Sequence, residues 1–144
     1  MRTARLICPA AVAGVLVVLA AGCGSGTDVH DPVHGKVYYK GAALSSGTIV
    51  FTPDPSRGNR GPLARSDIQP DGSYRLRTEA GDGAGPGWYR ITVMSVELPA
   101  RRAAGQPYAV PRSLLPEKYR DPELAGLVQE VKSGRENRID LHLD

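Results

Sequence analysis

The chain holds 144 residues, with 18 Lys and Arg against 15 Asp and Glu and a formal net charge of +3. Two of those arginines, Arg2 and Arg5, belong to an N-terminal leader, so the remainder is near neutral and lacks the basic footprint of a nucleic-acid binder. The length suits one domain with a single core, and two cysteines are too few for a disulfide scaffold.

From residue 6 to residue 21 the chain carries no charge, and the run closes on LAAGC at residues 19–23. A basic stub, a short apolar stretch and small residues at a junction are the parts of a secretory signal peptide. As a spanning helix the run falls short of the roughly 20 apolar residues a bilayer core requires, and Pro9 and Gly14 weaken it. LAAGC resembles the lipobox of bacterial lipoproteins. Ala21 and Gly22 match its small residues, whereas Ala20 stands where leucine is usual and Leu19 lies one place further back. The resemblance implies that Cys23 becomes the first mature residue and carries a diacylglycerol thioether, usually with a further amide-linked chain. Membrane lipid would then be the first partner. Cleavage after Ala20-Ala21-Gly22 with Cys23 incidental, and an uncleaved anchor, are the competing readings. Two or more acyl chains, at about 0.8 kcal/mol per buried methylene, anchor stably where one does not. Cys8 would leave with the leader, so Cys23 has no disulfide partner.

Downstream, residues 24–31 read GSGTDVHD, a flexible tether. A strand is expected over 33–40, with Val33, Val37 and Tyr39 on one face and His34, Lys36 and Lys40 on the other. Lys40-Gly41 turns the chain, Leu44 plugs the core edge, and 48–52 returns with Ile49 and Phe51 inward. The segment PDPSRGNRGP at 53–62 has the residues of an exposed loop with nothing apolar to bury. A weaker strand over 63–68 meets Pro70-Asp71-Gly72, a tight-turn signature, and a hairpin partner follows over 74–78 with Tyr74 and Leu76 inward. After a glycine-rich loop, 88–96 forms the longest strand. Tyr89, Ile91 and Val93 share one face and Trp88, Thr92 and Met94 the other, so coverage on both sides is expected. Residues 97–126 are irregular and proline-rich, with a helical turn near 122–124. A terminal hairpin pairs 127–132 with 137–143 around Ser133-Gly134. About seven short strands separated by turn signals predict an all-β fold, a single antiparallel β-sandwich.

Several stretches together resemble a family. VHGKVYYKG at 33–41, Leu44 and GTIVF at 47–51 look like the opening of carboxypeptidase regulatory-like domains, which are transthyretin-like sandwiches. DGSY at 71–74 and GPGWYRITV at 85–93 are similar to that family's DGsY and PGxYxxxV elements. LPEKYRDP at 115–122, with Gly126 and Leu127, resembles a planctomycete-type lipoprotein subgroup whose tail often reads LPxKYxDPxTSGL; Leu124-Ala125 replaces the usual Thr-Ser. The resemblance spans roughly 32–143 and implies a stable, non-catalytic accessory module. The domains expected are a signal peptide at 1–22, a lipidated cysteine and tether at 23–31, and the sandwich at 32–144. The location is the cell envelope, on the exported side of a membrane.

Candidate chemistry is sparse. His30 and His34 with Asp28 and Asp31 hint at a metal, but such a site needs three or four converging ligands, and His30 sits on the tether while His34 faces outward. Asp67, Asp71 and Gly72 lack the alternating oxygens of a calcium loop. Ser45 and Ser46 stand outside any G-x-S-x-G elbow, and His142 is an outward residue of an alternating strand. The transthyretin-fold hydrolase ends in Tyr-Arg-Gly-Ser, whereas this chain ends DLHLD. No cofactor or metal is expected. Tyr38, Trp88 and Tyr119 are the candidate interaction surface. Trp88 and Tyr38 suit a glycan platform, although sandwich packing is the plainer role for Trp88; Tyr119 is either a loop anchor or part of a recognition loop. The expected function is a lipid-anchored, non-enzymatic structural or interaction module serving an envelope protein or glycan. A carbohydrate-binding lipoprotein is the alternative, and a hydrolase stands third. Replacing Cys23 with serine is expected to abolish acyl labelling and membrane fractionation; retention at the membrane would favour the uncleaved helix.

Overall fold

The computed structural model describes residues 30–98 and 110–144. The leader, Cys23 and Arg101-Arg102 lie outside the described residues. Strand β1 (Val33–Tyr39) alternates buried Val33, Gly35 and Val37 with half-buried His34, Lys36 and Tyr38, the period of two that its pattern predicts. Lys40 and Gly41 take φ of 49° and 83°, the pair of positive values a two-residue type I′ turn demands, and the chain doubles back in β2 (Ala42–Ala43). Leu44 is 6% exposed at the core edge, and β3 (Gly47–Pro53) buries Ile49 and Phe51 completely.

Strand β4 (Ala64–Ile68) lies antiparallel to β3. The expected turn follows: Gln69 N–H donates to the Ser73 carbonyl and Gly72 N–H to the Gln69 carbonyl, both at 2.8 Å. Beyond it the chain changes sheets. β5 (Ser73–Arg75) pairs with β1, whereas β6 (Arg77–Thr78) pairs with β4 through Arg65 and Arg77. The strand expected over 74–78 is therefore divided at Leu76, which is fully buried, donates its N–H to the Val33 carbonyl of β1 and accepts the Gly83 N–H. β7 (Gly81–Asp82) pairs with β6, and β8 (Gly87–Met94) with β3. Tyr89, Ile91 and Val93 of β8 are buried. Its outer face is covered only in part, since Trp88 and Thr92 are half-buried and Met94 is exposed.

The remaining strands are β9 (Val96–Glu97), β10 (Arg112–Ser113), β11 (Val128–Val131), β12 (Asn137–Arg138) and β13 (Leu141–Leu143). A short 3-10 turn occupies Glu117–Arg120, slightly before the helical turn expected at 122–124. There Asp121 Oδ1 instead accepts the N–H groups of Glu123 and Leu124 at 2.7 and 3.3 Å.

The fold is an all-β sandwich built mainly of antiparallel pairs. One layer is a six-stranded antiparallel sheet in the order β11-β8-β3-β4-β6-β7. The other is centred on β1, with β5 and β2 antiparallel along one edge and β12 and β13 parallel along the other. One apolar cluster draws on both, from Val33, Val37 and Leu141 to Ile49, Phe51 and Ile91. All seven expected strands occur, but the terminal hairpin does not. Its arms belong to different sheets, β11 adding to β8 while β12 and β13 cross to β1. The Asn137 side chain shapes that crossing, accepting from Lys132 N–H and donating to the carbonyls of Lys132 and Arg135.

Between β12 and β13 the ladder is interrupted at Ile139 and Asp140, although the register on β1 is the same on both sides. The Ile139 carbonyl turns in over Gly35 and accepts the Tyr74 hydroxyl at 2.7 Å. The Asp140 carboxylate takes its place in the ladder, accepting the Lys36 N–H at 2.9 Å.

The strands also define two poles. The chain enters where Asp31 pairs with Ala84 and accepts the Gly134 N–H, beside the starts of β1 and β8. Seven residues of β1 at about 3.3 Å each put the Lys40-Gly41 turn some 20 Å away. The end of β8, the β9–β10 ribbon and the C-terminal Asp144 share that far pole.

A Cβ on Gly35 would lie 1.8 Å from the Ile139 oxygen, a backbone atom that cannot swing aside. Gly35→Ala is expected to cost about 3 kcal/mol in urea unfolding. Gly61→Ala, where the added carbon meets only Asn59 at 3.5 Å, is expected to stay within about 0.5 kcal/mol of the parent.

Candidate functional site

Where β4 and β5 diverge after their shared turn, an open polar cleft of about 1560 Å³ forms on the flank of the sandwich. Its lining includes His34 and Lys36 from β1, Ser73 and Arg75 from β5, Arg65, Ser66 and Asp67 from β4, and Arg77 and Thr78 from β6. Arg138 and Asp140 close it from the C-terminal segment, and Thr48 and Glu79 also line it. The Ser66 hydroxyl bridges the diverging strands, accepting Arg75 N–H at 3.2 Å and donating to the Asp67 carbonyl at 2.9 Å.

Most charges around the cleft are neutralised locally. Lys36 lies 3.2 Å from Asp71, Arg138 3.1 Å from Asp140, Arg77 3.0 Å from Asp82 and His34 3.3 Å from Glu136. The Ser73 hydroxyl and N–H, with Lys36 behind them, hold the Asp71 carboxyl down at about 2. For Asp140 burial works to raise the carboxyl, but the Lys36 N–H and Arg138 outweigh it and the group sits below its usual range. Burial pushes the Tyr74 hydroxyl well above its ordinary range, and the Asp140 charge adds to the effect. Arg65 and Arg75 have no carboxylate within 4 Å among the described residues. Arg65 faces Arg77 directly across the strands, and like charges so placed repel.

The three aromatic residues singled out from sequence lie apart, and none lines this cleft. Tyr38 is half-buried on the outer face of the β1 sheet, its ring stacked on His142 at 4.8 Å and 6°. The two rings are cross-strand neighbours. Trp88 belongs to the outer face of the other sheet and not to the apolar core. Tyr119 is 2% exposed; its hydroxyl donates to the Asp144 side chain at 2.8 Å and accepts the Asp144 N–H at 3.0 Å, so it anchors its loop to the C-terminal residue.

The Arg57 guanidinium lies 4.4 Å from the Trp88 ring centroid. What holds it there was not legible in PDPSRGNRGP, expected to be a loop without buried content. Asp54, 2% exposed, caps a 3-10 turn at Pro55–Arg57 and accepts Ser56 N–H at 3.0 Å and its hydroxyl at 2.6 Å. Arg90 approaches the same carboxylate to 3.3 Å and Arg57 to 3.6 Å. The Ser56 hydroxyl leads in holding this carboxyl below its usual range, against burial and with help from Arg90. Asn59, also buried, donates to the Trp88 carbonyl at 2.9 Å, as does the Asp54 N–H. Arg90 further pairs with Glu123, tying the 121–124 turn to the cluster.

At the far pole, Met94, Val96, Leu98, Val110 and Leu114 are all exposed around the β9–β10 ribbon. No group of three or more His, Cys, Asp or Glu suited to a metal occurs among the described residues. No helix among them is long and apolar enough to cross a membrane. No family model matches the chain, and neither a curated protein nor a solved structure matches it.

Removing the guanidinium over Trp88 tests whether it shields the ring. Arg57→Ala is expected to raise acrylamide quenching of Trp88 fluorescence, while unfolding stability falls by only about 1 kcal/mol. Unchanged quenching would mean that the rest of the loop supplies the cover.

Proposed function

We propose that the chain is a lipid-anchored, non-enzymatic cell-envelope protein whose β-sandwich acts as an interaction module. On this reading it is the carboxypeptidase regulatory-like, transthyretin-like kind of domain that its motifs resemble, in a planctomycete-type lipoprotein. Cys23 carries the acyl chains, and the short run from Cys23 to Asp31 holds the sandwich near the exported face of a membrane.

The observation that carries this reading is the opposition of the two poles. The chain enters at the Asp31 end, and exposed apolar side chains gather at the other, on the β9–β10 ribbon. Exposed apolar side chains gathered at one end of a domain are a mark of interaction sites, and these lie at the end opposite the proposed anchor. A glycan platform built on Trp88 or Tyr38 draws no support from ring placement. Arg57 covers one ring, and His142 covers a face of the other.

A photo-crosslinking residue placed at Val96 of the membrane-bound protein is expected to give a discrete protein adduct in native envelope. The same residue at Lys132, by the entry pole, is expected to give none. Leu98→Ser should abolish the Val96 adduct without moving the thermal midpoint, because Leu98 is 68% exposed. Equal adducts at both poles, or none at either, would count against an interaction module.

A further inference from the structure

We propose that Arg65, Arg75 and Arg77 form a binding site for the anionic groups of an acidic oligosaccharide. The inference deepens the interaction-module reading and rests on it. Three strands bring these arginines to one cleft: β4 supplies Arg65, β5 Arg75 and β6 Arg77. Two of them lack a carboxylate partner among the described residues, and Arg77 is engaged only by the exposed Asp82. Arg65 and Arg77 stand directly opposite each other, an arrangement an intervening anion relieves. A guanidinium presents a planar fork of donors that matches a carboxylate or phosphate in two parallel hydrogen bonds.

The carboxylates that share the cleft are mostly committed elsewhere. Asp140 accepts from Lys36 N–H and from Arg138, and Asp67 from the Thr48 hydroxyl at 3.4 Å. Neither Asp67 nor Glu79 makes an ion pair among the described residues, and Glu79 has no side-chain hydrogen bond there either.

Size and lining decide the class of ligand. A small-molecule site is a closed pocket of about 300–1,000 Å³, mostly apolar, whereas this cleft is larger, open and polar. The hydroxyls of Thr48, Ser66 and Thr78 also line it. Their protons are donated to the Asp67 carboxylate, the Asp67 carbonyl and the Gly81 carbonyl, which leaves oxygen lone pairs to accept from the hydroxyls of a polyhydroxyl chain. Nucleic acid takes many phosphate contacts, whereas Lys36, Arg65, Arg75, Arg77 and Arg138 exceed Asp67, Glu79 and Asp140 in this cleft by only two charges.

The test is calorimetric titration of the full chain in detergent with oligogalacturonate, its uncharged methyl ester and a glycerol phosphate oligomer. Oligogalacturonate is expected to bind and its ester not, with affinity falling as salt rises. The double variant Arg65→Ala/Arg75→Ala is expected to lose about tenfold or more in affinity at an unchanged thermal midpoint. Arg112→Ala, on the far ribbon, should bind as the parent does. Tighter binding of the phosphate oligomer would support the site and identify phosphorylated glycan as the source of the anion. Equal binding of ester and acid, parent-like binding by the double variant, or no binding of either anion would overturn the proposal. The Val96 crosslink is read at a different part of the molecule, so it separates failure of this site from failure of the module reading.

Discussion

The C-terminal strand lies parallel on β1, and that pairing depends on Gly35 having no side chain. At the interruption between β12 and β13 the Ile139 carbonyl occupies the space where a Cβ would stand. Tyr74, across β1 on the opposite edge, reaches over Gly35 to bond that carbonyl, and Asp140 supplies the acceptor that Lys36 would otherwise lack. A buried hydroxyl left without a partner costs about 1–3 kcal/mol, so the inward carbonyl and the buried tyrosine require each other. The consequence is global. Parallel strands need a long crossover, and this one arrives from β11 in the opposite sheet, so the last residues of the chain hold both layers together.

A second constraint acts on the outer face of the six-stranded sheet. A buried carboxylate must be hydrogen-bonded and paired, and Asp54 meets that requirement with Ser56, Arg90 and Arg57. Fulfilling it folds the 54–61 loop over β8 and lays the Arg57 guanidinium on Trp88. Tyr119 is withdrawn from the surface in a comparable way, through its bonds to Asp144. Aromatic rings that would suit a flat recognition surface are thereby engaged by the fold's own side chains, and the open surfaces are of other kinds, a polar cleft and an exposed apolar ribbon.

Those surfaces follow from topology. Because the chain passes from β4 through a tight turn into β5 and then back to β6, two strands that start as a hairpin separate into different sheets. The gap between them is the polar cleft, bridged by the Ser66 hydroxyl where a backbone ladder would otherwise run. The same wrapping sets the chain entry at one pole and the apolar ribbon at the other. Under the proposed anchoring, the ribbon lies at the end remote from the anchored leaflet.

Alternation of apolar and polar residues was sufficient to locate all seven strands and to face Val33, Val37, Ile49, Phe51, Tyr74, Leu76, Tyr89, Ile91 and Val93 inward, because side-chain direction in a strand has a period of two and burial acts residue by residue. The turns at Lys40-Gly41 and Asp71-Gly72 were legible for the same local reason, since positive φ is a property of single residues. Sheet membership was not legible. Nothing local distinguishes a terminal hairpin from two strands that part company at Asn137, or a continuous strand from one that changes sheets at Leu76. The buried Asp54 escaped detection because Arg90, the partner that makes its burial tolerable, lies far along the chain. The arginine cleft escaped it because Arg65, Arg75 and Arg77 stand on three separate short strands that nothing local brings together. The sequence by itself determined which residues form strands, which way they face and where the chain turns. Only the tertiary structure decided which strands meet, and so which charged side chains share one cleft, because pairing depends on long-range packing that no local pattern encodes.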